Sequence, residues 1–82
     1  MQTSRNLKQV CGHVVAVNPL RLRLTIKRLL LPMVFQVAAS AQITTPTQSR
    51  ATLGALQIGD WVEISYEVRG KHRVARHIVQ AG

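Results

Sequence analysis

Leu20-Arg21-Leu22-Arg23-Leu24-Thr25-Ile26-Lys27 alternates apolar and polar side chains without a break. Side chains on a β-strand point to opposite faces in turn, so strict alternation sorts the leucines to a core and the cations to water. On a helix the same residues would scatter round every side. The stretch therefore predicts a strand over residues 20–27 with Leu20, Leu22, Leu24 and Ile26 inward.

Working outward, the pattern repeats on both sides. Residues 8–17 are rich in valine, with Gly12 placed for a bend or bulge, and Asn18-Pro19 reads as a turn. Arg28 to Pro32 reads as an apolar connection. Residues 33–44 alternate again, with Phe35, Val37, Ala39, Ala41 and Ile43 on one face. Thr45 to Ser49 is a polar loop, and Leu53 and Leu56 stand three apart, as on one helical turn. After the Gly59-Asp60 turn, residues 61–68 predict a strand with Val62, Ile64, Tyr66 and Val68 inward. Arg69-Gly70-Lys71 closes a hairpin to a last strand over residues 72–80. A three-residue loop sets Tyr66 opposite Val74, Val62 opposite Ile78, Glu63 opposite His77 and Glu67 opposite Arg73, and leaves Arg76 requiring a bulge or a rim position.

Five strands with no crossover helices predict an all-β chain: a small five-stranded antiparallel barrel. One short helical turn would sit between strands three and four. Closure removes the edges that five open strands would expose. The order fits an OB-like barrel, and an SH3-like barrel is the alternative. The chain of 82 residues holds one domain, read as a flexible tail over residues 1–7 and a barrel over residues 8–82.

Composition narrows the classes of function. Eleven Lys and Arg face three acids, Asp60, Glu63 and Glu67, for a formal charge of +8. Such asymmetry points to nucleic acid (DNA or RNA) or another polyanion as partner. Arg21, Arg23, Lys27 and Arg28 gather on strand two, and Arg69 and Lys71 on the last loop. In an OB-like barrel these places meet the nucleic-acid face. Phe35 and Tyr66 point inward and Trp61 lies on strand four, so base stacking is scarce and phosphate contacts would carry the affinity. An exposed apolar surface around Leu29 to Pro32 and Trp61 points instead to a protein partner.

Catalytic patterns are missing from the sequence. It has no nucleophile elbow, no phosphate-cradling glycine loop and no paired carboxylates, so it reads as a non-enzymatic binding module without a cofactor. Cys11 and His13 share a strand face, and with His77 or His72 they are the only metal-ligand pattern. A single cysteine admits no internal disulfide and fits a reducing compartment, the cytoplasm. Lys27-Arg28, the apolar run to Ala39 and Ala39-Ser40-Ala41 mimic a secretory signal in the middle of the chain. That run is too short to span a bilayer as a helix, which takes about 20 residues.

The residues Gly12 to Val17, Leu24-Thr25-Ile26, Phe35 to Ile43, Ala51-x-Leu53-x-x-Leu56-x-x-Gly59-Asp60-x-Val62-x-Ile64-x-Tyr66 and Ala75-x-x-Ile78 carry a resemblance. The chain resembles small bacterial OB-like barrel domains of unknown function, which in turn resemble the periplasmic copper and silver chaperone barrels. The most distinctive part, Leu56-x-x-Gly59-Asp60-x-Val62, is structural: leucine fills a core and Gly-Asp turns the chain. The resemblance implies a metal-handling barrel with a tryptophan, two methionines and a histidine near Leu31-Pro32-Met33-Val34-Phe35. Only Met33 matches; leucine precedes Pro32, and Phe35 stands where a second methionine is wanted.

Overall fold

The computed structural model describes residues 7–81. The expected tail therefore lies almost wholly outside the described residues, of which Leu7 is the first. Five strands follow, β1 (Lys8–Asn18), β2 (Arg23–Arg28), β3 (Leu31–Thr44), β4 (Trp61–Arg69) and β5 (His72–Gln80), with one 3₁₀ turn, Leu53–Ala55, between β3 and β4. They close into a barrel in the order β1-β2-β3-β5-β4. Long β1 makes the closure possible. Its first half pairs with β4 and its second half with β2, and His13 faces both Trp61 and Lys27.

Gly12 sits at this changeover because nothing larger fits. A Cβ there would meet the Lys27 carbonyl oxygen at 2.8 Å and Ile26 Cδ1 at 3.1 Å. The bulge itself falls at Val15, between the pairs Val14–Ile26 and Ala16–Thr25.

The barrel is not purely antiparallel: β3 and β5 run parallel. After β3 the chain crosses one barrel end through residues 45–60 and enters β4 beside β1, so β5 returns along β3 in the same direction. Leu53 and Leu56 are buried in this crossing. Val14 bonds both ways with it: its N–H donates to the Asp60 carbonyl and its carbonyl accepts from Gly59 N–H, each at 2.8 Å. The Asp60 carboxylate accepts from Gln57 N–H at 2.8 Å and locks the turn.

Phe35, Leu24, Ile26, Ile64, Ile78, Val14 and Val62 are fully enclosed. Phe35 and Tyr66 meet edge to face, with ring centroids 5.0 Å apart and planes at 74°. Among the described residues no polar or charged side chain is buried.

Several expectations need correction. β2 starts at Arg23, so Leu20 is 96% exposed and Leu22 lies outside the core. The chain bends earlier because Asn18 and Pro19 open a turn: Arg21 N–H donates to Asn18 Oδ1 at 3.2 Å, and Leu22, at φ 53°, donates to the Pro19 carbonyl at 3.3 Å. Arg28 to Pro32 is not a long connection. Arg28 pairs with Leu31 across a two-residue turn, Leu29-Leu30, with Leu29 at φ 57°. The signal-like run is therefore largely β3 of a closed barrel. Ala39 is exposed, because β3 loses register with β5 between Val37 and Gln42.

The last hairpin also differs. Its loop is Gly70-Lys71, with Arg69 opposite His72. Tyr66 faces Ala75, Ile64 faces Ile78, Glu63 faces Val79, and His77 faces Ser65. The bulge expected at Arg76 is present, and it absorbs the shift between Ser65 and Tyr66. Val68 is exposed, since the strands have left the core by then.

The two tight hairpins share one geometry. Each has two loop residues and a positive φ at the first of them alone, 57° at Leu29 and 61° at Gly70. That is the pattern of a turn in which glycine normally takes the first position. Leucine in the left-handed region costs roughly 1–2 kcal/mol.

Candidate functional site

The pleat of β1 sends Val10, Gly12 and Val14 into the barrel and Gln9, Cys11 and His13 outward. Antiparallel β4 sets Ser65, Glu63 and Trp61 opposite those three. Gln9 Nε2 donates to Ser65 Oγ at 3.4 Å, and Cys11 Sγ donates to Glu63 Oε2 at 4.0 Å. The His13 ring stands nearly perpendicular to the Trp61 indole, with centroids 4.7 Å apart at 73°. Beside this row is an open hollow of about 620 Å³, lined by Cys11, His13 and Trp61 together with Lys27, Arg28 and Leu29.

Cys11 is a free, half-buried thiol and His13 is exposed. Thiolate sulfur is a soft donor and imidazole an intermediate one, a pair that suits Cu(I) or Ag(I). A structural zinc site would need four ligands. Among the described residues no group of three or more His, Cys, Asp and Glu is poised to hold a metal ion.

His77, the expected third ligand, lies on β5 opposite Ser65, on the far side of β4 from β1. Its Nε2 is buried and makes no hydrogen bond. The family-like stretch offers no ligand cluster either. Leu31 is exposed, Met33 packs against the core, and Phe35 is fully buried. The copper and silver chaperone ligand pattern does not fit there.

The six cations read from the sequence divide. Arg23 joins Lys71 at a second hollow of about 290 Å³, with Val34, Gln36, His72 and Arg73. Lys27 and Arg28 line the first hollow. Arg21 is exposed in the turn after β1. Arg69 is engaged by Glu67, Nε to Oε2 3.4 Å, and Arg76 approaches the same oxygen at 3.8 Å. Arg73 escaped the sequence reading of this face because the hairpin register decides which hollow it lines. Trp61 and Glu63 escaped as neighbours of His13 and Cys11 because the pairing of β1 with β4 is set by closure of the barrel.

No family model matches the chain, and no curated protein matches it in sequence. Solved structures do match in fold. The chain is similar to silver-bound CusF, with 13% identity, a TM-score of 0.72, and cover of 94% of this chain and 100% of that one. It is similar to a Cu(II)-bound tryptophan-to-alanine variant of CusF from Escherichia coli, with 13% identity, a TM-score of 0.73 and full cover of both chains. Metal-free CusF from Escherichia coli gives 15% identity and a TM-score of 0.67, again with full cover of both chains. At such identities the likeness establishes a shared fold: the chain is similar to CusF in its closed five-stranded barrel.

Proposed function

We propose that this barrel is a non-enzymatic binding module whose cargo is a soft monovalent metal ion, Cu(I) or Ag(I), held by Cys11 and His13. The carrying observation is the placement of thiol and imidazole on one outward face, both lining the hollow that Trp61 borders. Two soft or intermediate donors suit an ion that accepts low coordination and disfavour ions that demand four or more ligands. The fold neighbours that bind silver and copper support the same reading. The residues differ from the chaperone-like stretch at Leu31 to Phe35, so the site would lie on another face of the same fold.

The test is anaerobic titration with Cu(I) against a competing chelator, and with Ag(I) by native mass spectrometry. One equivalent should bind. Cys11→Ser should weaken it by more than about a hundredfold, since losing even an outer-shell partner costs about 10–100-fold. Met33→Leu should leave binding unchanged. No uptake, or uptake indifferent to Cys11→Ser, would end this reading; a loss confined to Met33→Leu would move the metal to the chaperone-like stretch.

A second reading rests on the other hollow. Arg23, Lys71, His72 and Arg73 surround Gln36 with no acid among the lining residues, which supports binding of a polyanion such as single-stranded nucleic acid. Each cation would meet phosphate, and Gln36 would add a hydrogen bond without much base selection.

A further inference from the structure

The β2–β3 hairpin ends in leucines that lie almost wholly outside the core. Leu29 is 88% exposed, Leu30 84% and Leu31 70%. Three consecutive apolar side chains on a protruding tip are unusual for a soluble surface. Leu29 makes the case sharper, because it occupies a backbone position that the chain fills with glycine in its other two-residue hairpin, at Gly70. The leucine adds strain to the turn and buries little in return. Its use must lie outside the barrel.

Charge indicates what that use is. Lys27 and Arg28 immediately precede the tip, and both are exposed. They line the hollow beside it together with Leu29 and Trp61, and no acid lines that hollow. Because β5 runs parallel to β3, with Val74 level with Gln36, the Gly70–Lys71 turn points toward the same end of the barrel. Lys71 and Arg73 thus lie toward that end, with Val34 exposed beside them. A convex apolar tip ringed by cations, with an indole at its shoulder, suits the boundary between acyl chains and anionic headgroups.

We propose that the Leu29–Leu31 tip is a peripheral membrane anchor that inserts into anionic lipid, with Lys27, Arg28 and Lys71 at the headgroups. Insertion is shallow, because the tip is a two-residue turn with one flanking leucine. The proposal does not rest on the metal reading, because neither Cys11 nor His13 takes part in it, although both line the hollow that Trp61 and Leu29 border.

The experiment is vesicle flotation at low salt, using equal parts phosphatidylglycerol and phosphatidylcholine against phosphatidylcholine alone, with Trp61 emission read in parallel. The protein should float with the anionic vesicles and its emission should shift to the blue. The double variant Leu29→Asn, Leu30→Ser should keep the far-ultraviolet circular dichroism of the parent and an equal or higher thermal midpoint, since asparagine tolerates a positive φ better than leucine. It should lose binding by about a hundredfold or more, the worth of two buried apolar side chains. The single variant Leu30→Ser leaves the strained position untouched and should lose about tenfold. Lys27→Ala with Arg28→Ala should weaken binding at low salt only. A parent protein that stays with the soluble fraction overturns the proposal. So does a double variant that floats as well as the parent, which would make the attraction purely electrostatic. Self-association in light scattering that vanishes in the double variant, without vesicle binding, would assign the tip to a second copy of the chain instead.

Discussion

The imidazole of His13 stands against the indole of Trp61, centroids 4.7 Å apart and planes at 73°, because the two residues are direct partners across β1 and β4. Cys11 lies two residues back on the same face, with Glu63 Oε2 at 4.0 Å from its sulfur. The chain's one tryptophan therefore reports on its one cysteine.

An ion bound by Cys11 and His13 would sit beside this indole. We expect Ag(I) to quench Trp61 emission in proportion to occupancy, with saturation at one equivalent. Cys11→Ser should abolish the response and Met33→Leu should not. Emission that ignores silver in the parent protein, although mass spectrometry shows silver bound, would place the ion elsewhere.

Gly12 is held by space rather than by conformation, since its Cβ would stand 2.8 Å from the Lys27 carbonyl oxygen. Backbone cannot swing aside as a side-chain end can. Gly12→Ala should therefore force β1 from β2 and cost about 1–3 kcal/mol in urea unfolding. A cost near zero would mean that the strand pair yields freely at this point.

Ala75 is wholly enclosed and faces Tyr66, whose ring in turn meets Phe35 edge-on. The small residue leaves room for the larger ring. Ala75→Val should cost about 1–3 kcal/mol by overpacking, and Phe35→Ala about 3–5 kcal/mol by leaving a cavity. The second loss is a large part of the stability of any domain this small. Thermal midpoints that barely move would show a core looser than the burial implies.

Gly70 has open space around its missing Cβ, so its cost on substitution is conformational alone. At φ 61°, Gly70→Ala should destabilise by about 1 kcal/mol. Leu29→Gly, at the equivalent place in the other hairpin, should have the opposite sign. Equal and unfavourable effects at both sites would show that Leu29 is supported by packing within the barrel.

The polyanion reading makes a local claim about Arg23 and Lys71, which share one hollow. Replacing either by alanine should reduce the slope of log affinity against log salt by about 0.7–0.9 for an oligonucleotide. Arg69→Ala should matter less, because Glu67 already engages that guanidinium. Slopes that fall equally for every cation removed would indicate diffuse attraction to the whole +8 surface.

The amino-acid order by itself determined the number and sequence of strands and most of the core. Period-two alternation places Leu24, Ile26, Phe35, Val62, Ile64 and Tyr66 inside regardless of what they pack against, and all are buried. It also put Cys11 and His13 on one face, since that needs only a strand. Where strands end and which residues meet across them were decided by the closed barrel. Leu20 and Leu22 continue a perfect alternation, yet Asn18 and Pro19 turn the chain beneath them. The bulge at Arg76 sets Tyr66 against Ala75, a pairing that loop length alone does not reveal. The parallel contact of β3 with β5 follows from the crossing at residues 45–60 and from no local pattern. Local spacing records one strand's faces; register belongs to two strands together, and closure of the barrel selects it.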